Sequence, residues 1–143
     1  MKVSAEVGRM RRKVLFICTH NSARSQMAEG LVNALHGGRW IAHSAGTSPT
    51  NVHPLAVKAM AEIGIDISRH HSKALKDFKG EEFDLVVTVC DDASENCPFF
   101  PAKRTVHKGF KDPSKAEGTE EERLEAFRKV RDEIKDWLMQ ILY

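Results

Sequence analysis

Hydrophobic positions along the chain fall into runs and stripes of two kinds. Val14-Leu15-Phe16-Ile17 and Leu85-Val86-Val87-Thr88-Val89 are almost unbroken apolar runs. Short runs of this kind read as strands buried on both faces of a sheet. Trp40–Ser44 and the weaker Arg104–His107 supply two further extended segments. Between the strands the spacing changes to steps of three and four residues, the period of a helix with one apolar face. Met27, Leu31, Ala34 and Leu35 mark a helix over 24–35 that Gly37-Gly38 ends. Pro54 opens a second, whose apolar positions Leu55, Val57, Ala59, Met60 and Ile63 run up to a stop at Gly64. Ala74–Phe78 reads as a short helix. Thr119 and Glu122 match a capping box ahead of the longest stripe, Leu124, Phe127, Val130, Ile134, Trp137, Leu138 and Ile141.

Strands alternating with helices predict an α/β fold: a single three-layer domain with a four-stranded parallel sheet and helices on both faces. A chain of 143 residues has room for one such core. The domain is expected over 11–143. Residues 1–10 read as a flexible basic extension without the apolar stretch of a signal peptide, and Met10 is a possible alternative start. No apolar stretch is long enough for a bilayer. A net charge of +2 makes no electrostatic case for nucleic acid or a membrane surface. The expected state is a cytoplasmic monomer.

Composition alone says little about chemistry, but the strand ends say more. Ligands of parallel α/β sheets bind beyond the C-terminal ends of strands. Cys18 and Cys90 stand at two such ends. Cys18 is followed by Thr19-His20-Asn21-Ser22-Ala23-Arg24-Ser25 and then by the first helix. A strand, a short loop and a helix N-terminus cradle an anion with backbone N–H groups, and the helix dipole favours negative charge. The same field favours a thiolate at the start of the loop. Arg24 offers a planar fork to a tetrahedral oxyanion. Ser25 is placed to donate to the Cys18 sulfur. Asn21 tolerates the left-handed backbone that would curl the loop.

The three cysteines, Cys18, Cys90 and Cys97, are an odd number, which argues against a secreted disulfide scaffold. Cys90 and Cys97 also lack the close paired spacing of structural zinc sites. No metal and no cofactor is expected. A disulfide needs Cα atoms about 4.4–6.8 Å apart. If residues 91–96 form a helix, joining Cys90 to Cys97 requires that helix to unwind. His70-His71 reads as a surface pair, Met27 and Met60 as core.

Cys-x5-Arg-Ser after a strand resembles the low-molecular-weight tyrosine phosphatase superfamily. Ser25-Gln26-Met27-Ala28-Glu29-Gly30 is closer to its thioredoxin-coupled arsenate reductase branch. So are Ser44-Ala45-Gly46, Gly64-Ile65-Asp66-Ile67-Ser68, Asn96-Cys97-Pro98, Gly109-Phe110, Asp112-Pro113 and Val130–Ile134. The resemblance runs from Lys13 to the final helix. It implies a three-thiol relay. Cys18 attacks arsenate, held by Arg24 and the loop from Thr19 to Ser25, while Asp112 serves as general acid. Cys90 then attacks Cys18 and releases arsenite. Cys97 attacks Cys90, and thioredoxin reduces the Cys90–Cys97 disulfide. Phosphate and sulfate are the competing anions it implies. In relatives with a potassium ion behind the loop, the resemblance places ligands at Asn21, Glu29 and Ser44, and a carboxylate at the position of Lys73. A lysine cannot ligate potassium while protonated, so its ammonium is expected to stand in for the ion's charge. Lys108 and Lys111 stand where relatives often carry Trp and Asp. The alternative reading is a low-molecular-weight protein tyrosine phosphatase. It leaves Cys90 and Cys97 without a task, and Ser114-Lys115 replace the aromatic pair such phosphatases often carry after Asp-Pro.

Overall fold

A computed structural model describes residues 11–90 and 99–142. The expected N-terminal extension, residues 1–10, and Cys97 lie outside the described residues. Four strands, β1 (Arg12–Cys18), β2 (Trp40–Gly46), β3 (Leu85–Thr88) and β4 (Arg104–His107), form one parallel sheet in the order β2-β1-β3-β4. Among the described residues the α-helices are α1 (Arg24–Leu35), α2 (Pro54–Ala61) and α3 (Glu120–Ile141). Two 3-10 turns, Leu75–Phe78 and Pro113–Lys115, accompany them.

The strand order follows from where the chain reverses direction across the sheet. β2 pairs with one side of β1, and the chain then crosses to place β3 on the other. A crevice opens where neighbouring connections leave in opposite directions, at the C-terminal ends of β1 and β3. Ile17 is in register with Thr88, so Cys18 and Cys90 leave the sheet side by side.

Both faces are covered, by unequal means. Side chains alternate along a strand, so β1 sends Val14, Phe16 and Cys18 one way, and Leu15 and Ile17 the other. The first set packs with Met27, Leu31, Leu55, Met60, Leu124, Phe127 and Ile134, which come from all three α-helices. The second set packs with Phe78, Phe83, Val86 and Phe100, under the first 3-10 turn. No helix among the described residues is long and apolar enough to cross a membrane.

The boundaries of α3 follow from its capping box. Thr119 Oγ1 accepts the Glu122 N–H at 3.1 Å, and Glu122 Oε1 accepts the Thr119 N–H at 3.0 Å. Its other side joins α2: Arg131 donates to the Ala59 carbonyl at 2.8 Å, and Arg128 to both Glu62 carboxylate oxygens. Gly64, at φ +81°, ends the α2 segment in the left-handed conformation.

The stripe expected on α1 differs from what the helix buries. Ala34 and Leu35 are exposed, whereas Arg24, Ser25 and Gln26 are buried beside Met27, Ala28 and Leu31. The first turn lies under the loop that precedes it, so its polar side chains turn inward to serve that loop. The last turn runs past the edge of the packed layer. His70 also departs from the expected surface pair. It is half-buried, with Nδ1 3.0 Å from Gln26 Oε1 and 3.6 Å from Glu29 Oε2.

Candidate active site

The site grows from the end of β1. Cys18 is the last residue of the strand and is almost fully buried. Residues 19–23 turn back, and α1 begins at Arg24. The turn is enforced from outside. The carbonyls of Thr19, His20 and Ser22 accept the N–H groups of Ser48, Thr50 and His53 at 2.9, 3.1 and 3.0 Å. The Asn21 carbonyl accepts Ser72 Oγ at 2.7 Å. With these oxygens held outward, the N–H groups of the same planar peptides turn to the inner side. Asn21 makes the curl with φ +50°, the one non-glycine left-handed residue among the described residues.

A chain of side-chain hydrogen bonds fixes the loop and ends on the sulfur. Gln26 Nε2 donates to Asn21 Oδ1 at 2.9 Å, and the Lys73 N–H reaches the same oxygen at 2.9 Å. Two donors on Oδ1 settle the amide orientation, so Nδ2 is the group that reaches Ser25 Oγ, at 2.7 Å. Ser25 Oγ accepts that bond, which leaves its own proton for Cys18 Sγ, 2.8 Å away. Gln26 Oε1 can only accept, so His70 carries a proton on Nδ1.

α1 starts without a competing anion of its own. Ala23 at the N-cap supplies no side-chain cap, and the first turn holds no acidic residue. The dipole end therefore remains available to a ligand. Arg24 is 3% exposed, with its guanidinium tied at 3.2 Å to the Phe110 carbonyl. Its second nitrogen lies 3.6 Å from Asp112 Oδ2, across the mouth of the loop. Asp112 caps the second 3-10 turn: its Oδ1 accepts the Ser114 N–H at 3.0 Å and the Ser114 hydroxyl at 2.7 Å.

Cys90 lies just past β3 and is fully buried, with Sγ 3.8 Å from the Ile17 carbonyl, one peptide before Cys18. Behind the loop, Glu29 Oε1 accepts the Ser44 hydroxyl at 2.6 Å and lies 3.4 Å from Lys73 Nζ. Lys73 Nζ also donates to the His71 carbonyl at 3.2 Å. The ammonium thus faces Glu29, which also holds Ser44, while the Lys73 backbone N–H is the group that reaches Asn21. With Asn21 Oδ1 already receiving two donors and Glu29 facing an ammonium, these residues do not fit a potassium ion.

The structure therefore brings Cys18, the loop Thr19–Ser25, Cys90 and Asp112 to one edge of the sheet, and Glu29, Ser44 and Lys73 behind the loop. Several contributors were not singled out from sequence. Gln26 is one: a polar residue in the first turn of an amphipathic helix looks solvent-facing until the loop is seen above it. Others are Ser72, Ser114 and the Phe110 carbonyl. His53 is a fourth. Its N–H holds Ser22, its Nδ1 accepts the Leu55 N–H at 3.1 Å to cap α2, and its ring packs on Phe127. Burial, helped by the Arg123 charge, pushes the imidazole below its usual range and keeps that acceptor neutral.

This arrangement of a thiol at a strand end, an inward-facing amide loop and an arginine at a helix start has known counterparts. The family model for low molecular weight phosphotyrosine protein phosphatase matches residues 13–143. The chain belongs to this family. Within it, similar relatives include an arsenate reductase of Halalkalibacterium halodurans, 52% identical over 127 residues, which are 87% of this chain and 91% of that one. Among solved structures, an arsenate reductase in a phosphate-binding state superposes with a TM-score of 0.77 at 34% identity, covering 91% of this chain and 95% of that one. A thioredoxin-dependent arsenate reductase of Corynebacterium glutamicum has a TM-score of 0.67 at 26% identity, covering 98% of this chain and 70% of that one.

Proposed function

We propose that this protein is a cytoplasmic arsenate reductase that passes two electrons from thioredoxin to arsenate through Cys18, Cys90 and Cys97. The observation that carries this reading is Cys90. A phosphatase needs the loop, Arg24 and Asp112, but has no use for a second thiol beside the Ile17–Cys18 peptide.

The Cys18 thiolate attacks arsenic, and a sulfur–arsenic bond forms. The opposite arsenic–oxygen bond breaks with its pair on oxygen, Asp112 gives that oxygen a proton, and water leaves. Arg24 and the inward N–H groups hold the remaining oxygens as charge shifts among them. The Cys90 thiolate then attacks Cys18 Sγ. The sulfur–arsenic pair stays on arsenic, which falls from the +5 to the +3 state and departs as arsenite. Cys97 attacks Cys90, freeing Cys18 as thiolate, and reduced thioredoxin takes the Cys90–Cys97 disulfide in exchange for its own. The relative named as thioredoxin-dependent supports that last partner.

The test is a coupled assay with arsenate, thioredoxin, thioredoxin reductase and NADPH. NADPH loss is expected only with arsenate and thioredoxin both present, with phosphate and sulfate competing. Hydrolysis of an aryl phosphate at rates that ignore Cys90 and Cys97, without arsenate-dependent NADPH loss, would establish the phosphatase instead.

Lys73 is proposed to supply in place the positive charge that Glu29 needs behind the loop. Replacing sodium by potassium at equal ionic strength is then expected to leave the wild-type rate unchanged. Lys73→Met strands a partly buried carboxylate and is expected to cost about 1–3 kcal/mol in urea unfolding. A sharp rise in wild-type rate with potassium would sink this assignment.

A further inference from the structure

We infer that Ser114 is a positioning residue for the acid step. Its hydroxyl selects which oxygen of Asp112 carries the transferable proton. The inference rests on the proposed role of Asp112 and deepens it.

A protonated carboxyl carries its hydrogen on one of two oxygens, and only one of them can face the leaving group. In this protein the two oxygens differ. Oδ1 receives two donors from the turn that Asp112 itself caps, the Ser114 N–H at 3.0 Å and the Ser114 hydroxyl at 2.7 Å. An oxygen that accepts two hydrogen bonds is a poor place for a proton, which would point its own hydrogen at a donor. Oδ2 is the oxygen turned to Arg24, 3.6 Å from its guanidinium, and so toward whatever anion Arg24 holds. The backbone bond alone fixes the position of Oδ1 as a cap does. The hydroxyl adds a second, shorter tether, which resists rotation of the carboxyl about its terminal torsion, an otherwise broad one. Pro113 stiffens the same turn by fixing φ between the acid and its tether.

The proton on Oδ2 therefore goes to the departing arsenate oxygen as the Cys18–arsenic bond forms. Asp112 is left as a carboxylate whose Oδ1 remains held by Ser114. Ser114 touches neither substrate nor sulfur and acts only through Asp112.

The experiment follows the adduct-forming step alone, in a Cys90→Ser background where the reaction stops after it, by the arsenate-dependent loss of the Cys18 thiol. Asp112→Asn is expected to slow this step about 100-fold or more, the usual worth of a general acid. Ser114→Ala is expected to slow it about three- to tenfold, with the arsenate concentration for half-maximal rate unchanged, as for a partly misplaced catalytic group. Ser114→Thr, which keeps the hydroxyl, should restore most of the rate. Ser114→Ala added to Asp112→Asn should cost nothing more. If Asp112→Asn leaves the step as fast as before, the acid role of Asp112 fails, and this inference with it. If Asp112→Asn is slow but Ser114→Ala is silent, additive with it, or not rescued by threonine, only the positioning role falls.

Discussion

Serine at position 18 is expected to stop arsenate turnover completely, whereas serine at 90 and at 97 should each stop it at a different, countable point. A neutral hydroxyl is a far weaker nucleophile than a thiolate. The loss for Cys18→Ser should exceed about 1,000-fold. The loop would still bind the oxyanion, because the inward N–H groups and Arg24 do not depend on the sulfur. Cys90→Ser should lose one thiol per chain to arsenate and release no arsenite. Cys97→Ser should release one arsenite per chain and halt as a Cys18–Cys90 disulfide, with both remaining thiols consumed. Wild type given one equivalent of arsenate and no thioredoxin should also release one arsenite but keep Cys18 titratable. Arsenite yield and thiol count, measured in one single-turnover experiment, separate these cases. Rapid repeated turnover by Cys97→Ser with thioredoxin would remove the third cysteine from the relay. Aryl phosphate hydrolysis that needs Cys90 would argue against the same scheme from the other side.

Whether a feature is legible in the sequence depends on the range of the interaction that makes it. β1 and β3 were legible because a strand buried on both faces must be apolar at nearly every position, and Val14–Ile17 and Leu85–Val87 are. The long final helix was legible because its boundary is written locally, in Thr119 and Glu122. The loop was legible because Cys18 and Arg24 are separated by a fixed and short stretch. What sequence could not deliver were contacts that join distant segments through polar atoms. Gln26 reaches the carbonyl of His71, 45 residues away, and Arg24 reaches that of Phe110, 86 residues away. Neither partner leaves a mark in the hydrophobic pattern, since a backbone carbonyl belongs to every residue. The misjudged end of α1 has the same origin. Its periodicity marked Ala34 and Leu35 as inward, but the buried surface of this helix is set by the loop above its first turn. His70 looked like a surface histidine for want of knowing that Glu29 and Gln26 sit opposite. Ser114 was visible only as the absence of an aromatic residue, and its bond to Asp112 gives that departure a physical meaning.

Gly46 carries the second large expectation. It ends β2 directly opposite Cys18, and its N–H is bound to the Lys73 carbonyl at 2.9 Å. A methyl group there would lie 2.5 Å from the Thr19 oxygen, 2.8 Å from the Asn21 nitrogen and 3.0 Å from the Cys18 oxygen. All three are backbone atoms of the anion loop, so none can move aside as a side-chain tip would. The same Thr19 oxygen is also held by the Ser48 N–H, and Asn21 by Gln26, Lys73 and Ser72. The loop must shift as a body, or β2 must leave its register with β1. A misplacement near 1 Å at a site that works by fixed N–H geometry costs about 100-fold in rate. Overpacking of this kind costs about 1–3 kcal/mol in stability. Gly46→Ala is therefore expected to remain folded, to lose arsenate turnover about 100-fold, and to bind phosphate and sulfate more weakly in competition. Gly38→Ala is the control, since nothing lies within 4 Å of the carbon it would add. Unfolding in urea separates a distorted loop from a collapsed domain. Wild-type anion affinity in Gly46→Ala would mean that the loop tolerates displacement, and that its backbone is not the rigid cradle on which the proposed chemistry of Cys18 depends.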